Sequence, residues 1–308
     1  MKVGIPKAFL YYRYRTLWET FFEALNIEVV LSPDTNKEIL NQGTMYAIDE
    51  TCLSSKIYLG HVHYLLDKCD KIFVPRISNF GKDGILCTKF EALYDIVRNT
   101  FRDRSPKLVD FNIDVRRGKG ELKAFMHLGR KLNKSRPATA RAYMLAKMAE
   151  RQAAAEEVRA QKELLRTDDL TILIVGHPYN VYDKLIGEPV IRFLKELGAV
   201  PIIADITDKR RARDRAFELT DSLPWMFNRE LVGAVLDYKH DIDGIILLSA
   251  FPCGPDSLVN EILLRRVQGL PMLNLLMDSQ QADAGIETRL ESFVDIIKFK
   301  REAKADEA

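Results

Sequence analysis

At 308 residues, 47% of them apolar, the chain is long enough for two domains that each bury a core. Its 46 basic and 44 acidic side chains leave a net charge of +2, so no global field attracts nucleic acid or an anionic membrane. A mean hydropathy of -0.15 and the lack of any apolar run of about twenty residues argue against a helical membrane protein. The opening Met1-Lys-Val-Gly-Ile-Pro6 reads directly as a strand and lacks a signal-peptide pattern. Four widely spaced cysteines then fit a reducing cytoplasm, the expected location, where thiols are more often buried, catalytic or metal-bound than paired.

In chain order, Lys2 to Pro6 is a strand, and Tyr11 to Leu25 carries Leu17, Trp18, Phe21, Phe22 and Leu25 at helical spacing. Ile27 to Leu31 is a second strand and Lys37 to Tyr46 a second helix. Helical periodicity resumes over Lys56 to Leu66, with Ser54 or Ser55 as its cap. Lys71 to Ile77 is a strand, Ser78 to Cys87 its loop, and Phe90 to Asn99 a helix. This alternation predicts a small parallel sheet.

The middle differs in composition. A helix is expected around Leu122 to Leu132, and Pro137 opens a long Ala-, Glu-, Lys- and Arg-rich run to Arg166 that favours helix. A second α/β unit begins at Leu170-Thr-Ile-Leu-Ile-Val175. Helix Glu188 to Leu197, strand Val200 to Ala204, the charged stretch Asp205 to Phe217 and helix Arg229 to Lys239 follow. After them come a strand from Gly244, a helix from Leu258 to Gln268, a strand at Met272 to Met277 and an amphipathic helix, Ile286 to Ile297. The charged tail from Lys298 is expected to fray. The fold class is therefore α/β: two flavodoxin- or Rossmann-like parallel-sheet domains at 1–112 and 169–308, joined by a helical connector at 113–168.

The chemistry concentrates where strands end. Gly244-Ile-Ile-Leu-Leu-Ser-Ala250 is a buried strand that runs into a tight Phe251-Pro-Cys-Gly-Pro255 turn. In an open α/β sheet, ligands bind beyond the carboxyl ends of strands, which is where Cys253 falls. Cys52 and Cys87 lie in comparable transitional stretches. These three thiols either meet around one metal cluster or are buried small hydrophobes, and their wide spacing alone does not separate the two. Cys69 precedes a strand at its amino end and reads as structural. His177 and Tyr179, in the turn after another buried strand, are candidates to donate to a cluster sulfur, a substrate carbonyl or a water; the alternative is a turn in which His177 caps backbone groups. Asp49 and Glu50 are a candidate proton relay or a solvated acidic pair. His61 and His63 lie two apart on one helix and cannot face one metal. The sequence has no Gly-x-x-x-x-Gly-Lys-Ser/Thr loop, no Gly-x-Gly-x-x-Gly after a strand and no Gly-x-Ser-x-Gly turn.

Several stretches together resemble the component-D family of 2-hydroxyacyl-CoA dehydratases, and most closely its uncharacterised branch related to the CoA-enzyme activases. They are Gly4-Ile-Pro-Lys-Ala-Phe-Leu-Tyr-Tyr12 with Leu17-Trp18, Asn36-Lys-Glu38, Asp49-Glu-Thr-Cys52, Phe73-Val-Pro-Arg76 and Cys87-Thr-Lys-Phe90. Gly176-His-Pro-Tyr179, Phe251-Pro-Cys-Gly-Pro-Asp256 and Ala284-Gly-Ile-Glu-Thr-Arg-Leu-Glu291 complete the set. The resemblance implies a [4Fe–4S] cluster held between the domains by Cys52, Cys87 and Cys253, with one iron open. It also implies reductive or dehydratase-type chemistry driven by a separate ATP-dependent activase. An acyl-CoA or another small molecule would be the substrate. A non-catalytic iron–sulfur protein for electron transfer, storage or sensing is the alternative. No nucleic-acid or membrane partner is implied, and a homo-oligomer is compatible with this reading. Asp278-Ser279 departs from the acidic pair common in the branch.

Overall fold

The computed structural model describes residues 1–82, 84–279 and 283–306. It contains two four-stranded sheets, both wholly parallel, with helices joining successive strands. The chain divides into two compact units, one of Met1–Ala155 with Pro224–Met226, the other of Glu156–Leu223 with Phe227–Ala308. Among the described residues no helix is long and apolar enough to cross a membrane.

In the first unit the strands are β1 (Lys2–Ile5), β2 (Glu28–Leu31), β3 (Lys71–Asn79) and β4 (Leu108–Asp114), in the spatial order β2-β1-β3-β4. Parallel neighbours need a crossover, which α1 (Tyr11–Ala24) supplies between β1 and β2. Its residues Leu17, Trp18, Phe21 and Phe22 share the buried face because three- and four-residue steps bring side chains to one side of a helix. There Trp18 packs edge-on against Phe73 of β3, with ring centroids 4.9 Å apart. Helices α2 (Lys37–Tyr46) and α3 (Leu53–Leu65) form the next crossover, and Asn36 caps α2 by accepting from the Ile39 N–H at 3.0 Å. The pair packs backbone to backbone: a Cβ on Gly43 would lie 1.8 Å from the Lys56 carbonyl oxygen, and one on Gly60 1.9 Å from that of Ile39. Hydrogen is the only side chain that fits at either position. Helix α4 (Thr88–Thr100) joins β3 to β4.

Strand β4 was not anticipated from the sequence. Its buried Val109, Phe111 and Ile113 alternate with less buried Leu108, Asp110 and Asn112, as an edge strand with one covered face requires. Helices α5 (Glu121–Lys131) and α6 (Arg136–Leu164) follow; they are held together by the Tyr143 hydroxyl donating to Glu121 Oε1 at 2.9 Å.

The second unit repeats the pattern as β6-β5-β7-β8, from β5 (Leu170–Val175), β6 (Ala199–Ile203), β7 (Gly244–Ala250) and β8 (Met272–Met277). Every residue of β5 and β7 is buried, which is why both read as nearly continuous apolar runs. Around them lie the single turn α7 (Pro178–Val181), α8 (Glu188–Glu196), α9 (Lys209–Arg215), α10 (Met226–Tyr238), α11 (Gly254–Arg266) and α12 (Asp283–Asp306). Three expectations are corrected. Helix α11 starts at Gly254 rather than Leu258, because proline is well suited to the first turn of a helix. Helix α12 runs on through the stretch expected to fray. The charged segment after β6 is not simply exposed: Arg211 and Arg215 of α9 clamp buried Asp237 of α10, each at 2.8 Å.

His61, on α3, is fully buried between the Ser32 hydroxyl at Nδ1 (2.8 Å) and the Thr35 hydroxyl at Nε2 (3.0 Å), both just beyond β2. Burial, aided by the Lys7 charge, pushes its pKa down to about 3. Between that value and the ordinary histidine value of about 6.5, the unfolded chain binds a proton that the native state refuses. Stability should therefore rise with pH across this window, by up to about 1.4 kcal/mol per pH unit from this one group. Urea titrations at pH 6.5 and 5.0 should show a loss on the order of 2 kcal/mol, reduced in His61→Gln; an identical slope in the variant would refute the assignment.

Candidate functional site

In each sheet the strand order reverses beside the first strand, between β1 and β3 and between β5 and β7. Successive crossovers leave on opposite sides there, opening a crevice at the carboxyl ends. In the second unit the two segments that enter this crevice are Gly176-His177, directly after β5, and Phe251-Pro252-Cys253, directly after β7. His177 and Cys253 are the N-caps of α7 and α11, with a proline at the start of each helix.

Asp256 ties these segments together. It lies in the first turn of α11, where the helix dipole favours negative charge. It is only 5% exposed, and its Oδ1 takes His177 Nε2 at 2.9 Å and Asn228 Nδ2 of α10 at 2.9 Å. Burial by itself would raise the Asp256 carboxyl. The His177 imidazole, Asn228 and the Cys253 thiol more than offset that, and its pKa lies below the usual carboxylate value. Among the described residues Asp256 Oδ2 has no hydrogen-bond partner. Tyr179 stacks on the His177 ring, with centroids 5.0 Å apart and planes 18° from parallel. The imidazole is thus oriented from its edge and from its face. With the Nε2 hydrogen committed to Asp256, Nδ1 is the atom left to exchange a proton.

The sequence pattern assigns no role to Asp256 or Asn228. An acid three residues after a helix cap is a visible signal for Asp256, whereas nothing local marks Asn228.

In the first unit, Cys52 and Cys87 are the N-caps of α3 and α4. Ser54 and Ser55, the expected caps, lie instead inside α3 and are buried. Helix α4 leaves the long β3 at its carboxyl end. Helix α3 returns to the amino end of β3 and is about 20 Å long, so its first residue belongs at the carboxyl edge too. Cys69 lies at the opposite, amino edge. Its thiol donates to the Leu65 carbonyl at 3.3 Å, and burial raises its pKa. All four cysteines are outside disulfides. Asp49 and Glu50 are exposed. Among the described residues, no three His, Cys, Asp or Glu side chains are gathered as a metal ion would need.

The family model described as "CoA enzyme activase uncharacterised domain" matches residues 2–207. The match takes in Cys52, Cys87, His177 and Tyr179 and ends before Cys253 and Asp256. No curated protein matches the chain.

Removing the Asp256 carboxylate leaves a buried imidazole and a buried amide without their acceptor. Asp256→Ala should cost about 3–5 kcal/mol of unfolding free energy at pH 7, and Asp256→Asn, which keeps an acceptor oxygen, clearly less. Because the native carboxyl titrates below its unfolded value, its contribution is present above about pH 4 and is lost as pH falls through the native pKa. Asp256→Asn should lack that acid limb in pH-dependent urea titrations.

Proposed function

Because the chain belongs to the CoA enzyme activase uncharacterised domain family, we propose that it is an iron–sulfur protein served by a separate ATP-dependent activase. Its Cys52, Cys87 and Cys253 thiolates hold a [4Fe–4S] cluster with one iron open to an acyl-CoA or another small substrate. The observation that carries this reading is the division among the cysteines. Cys52, Cys87 and Cys253 each begin a helix of thirteen residues, where the dipole favours a thiolate, whereas Cys69 is a hydrogen-bonded thiol whose burial disfavours one. Thiolate is the ligand such clusters require.

The bound cluster supplies one-electron reduction and a Lewis-acidic iron. The protein supplies the proton handling. Asp256 holds His177 by Nε2 and lies in the first turn of the helix that Cys253 caps, so one carboxylate orients a proton carrier beside a ligand. Tyr179 fixes the ring plane, and its phenol is a second donor toward a carbonyl oxygen. In this reading, reductive or dehydratase-type chemistry uses His177 Nδ1 to take up or deliver the proton that accompanies loss of hydroxide.

Protein prepared without oxygen should contain iron and sulfide and absorb in the visible thiolate-to-iron bands. Cys52→Ala, Cys87→Ala and Cys253→Ala should each lose that iron, and Cys69→Ala should retain it. Equal retention in all four would defeat the ligand assignment. Added acyl-CoA should change the electron paramagnetic resonance spectrum of the reduced protein; an unchanged spectrum would leave electron transfer without catalysis at iron.

A further inference from the structure

A cavity of about 350 Å³ lies wholly within the first unit, and the chemistry proposed above makes no use of it. This volume falls in the range of small-molecule sites. One wall is the face of α3 and the residue before its cap, where Thr51, Ser55 and Leu59 recur every four residues and so point the same way. Lys89 and Ile96 of α4 form the opposite wall, and Tyr46, at the end of α2, closes one side.

Three of the polar groups, Thr51, Ser55 and Lys89, share one end. Thr51 lies just before the cap of one thirteen-residue helix and Lys89 in the first turn of another, and their unpaired N–H groups give that end a positive potential. Ser55 follows one turn in. Leu59 and Ile96 lie further along their helices and give the middle of the slot an apolar surface, with Asp95, Asn99 and Thr100 on the α4 side beside and beyond it.

Two observations point to a ligand rather than to a packing gap. Thr51 and Ser55 are each only 5% exposed, yet among the described residues neither hydroxyl makes a hydrogen bond. Both residues line the cavity, where a ligand oxygen would satisfy their hydroxyls. Lys89 is half-buried and has no carboxylate partner among the described residues; Asp95, also on the cavity wall, is taken by Arg76 at 2.5 Å. Among the described residues, one uncommitted cation and two hydroxyls face the same end of a slot whose middle is apolar at Leu59 and Ile96 and whose far wall carries Asn99 and Thr100.

We infer that this cavity binds a medium-chain monocarboxylic acid. Its carboxylate accepts from Thr51, Ser55 and Lys89, and its hydrocarbon chain lies along Leu59 and Ile96 under the Tyr46 ring. The inference requires neither bound iron nor the cysteine assignment.

Isothermal titration of the full chain with hexanoate tests it, with iron content measured on the same sample. Hexanoate should bind with one-to-one stoichiometry. Neutral hexanamide should bind at least about tenfold more weakly, because it lacks the charge that Lys89 receives. Lys89→Met, a change at a half-exposed position compatible with folding, should weaken hexanoate by about tenfold or more. Ser55→Val should weaken it as well, and Lys123→Met, on α5 outside the cavity, should leave it unchanged. Absence of saturable binding in the millimolar range, equal affinity for acid and amide, or hexanoate binding unaltered by Lys89→Met would each overturn the proposal, whatever the iron content.

Discussion

Two parallel strands can be joined only by a crossover, and a crossover helix must begin near the carboxyl edge of the sheet in order to return to its amino edge. The rest of this molecule depends on that constraint. Both sheets start at an interior strand and build outward in both directions, which separates the covering layers beside β1 and β5. Helix N-termini, with their unpaired N–H groups, therefore gather along one rim of each sheet. In the second unit this brings His177 and Asp256 into contact, although they belong to different crossovers. In the first unit it sets Thr51, Cys52, Cys87 and Lys89 at the starts of two helices.

The parts of the fold readable in the sequence are those where one face or one layer dominates. Strands β5 and β7 are buried on both sides, so seven consecutive apolar or small residues in β7 admit little else. Helix α1 announces itself through Leu17, Trp18, Phe21 and Phe22. Strand β4 did not, because Asp110 and Asn112 interrupt its apolar residues and only half of its surface is covered. Start points were missed where turn chemistry and helix chemistry share residues. Gly254 and Pro255 look like the end of a turn, yet they are the first turn of α11. Ser54 and Ser55 look like caps, yet they are buried in α3 behind Cys52.

The site was legible in outline and illegible in its wiring. Strand ends point to His177 and Cys253 because backbone topology alone puts them in the crevice. The carboxylate that holds His177 is a different matter. Asp256 becomes important only once folding brings β5 and β7 side by side and lays α10 near enough for Asn228 to reach it. His61 and His177 illustrate the same limit, since each is a buried histidine on an ordinary-looking stretch. The partners make the difference: two neutral hydroxyls around His61, a carboxylate beside His177.

The paired glycines of α2 and α3 bear on how this architecture can diversify. With Gly43 against the Lys56 carbonyl and Gly60 against that of Ile39, the two helices meet with no side chains between them at these points. No choice of residue there can widen or tilt the hairpin by small steps, as the exchange of valine for leucine does in an ordinary helix contact. Variation in this region is channelled instead to the connecting segment from Tyr46 to Thr51, which can change in length and character while the frame behind it stays fixed.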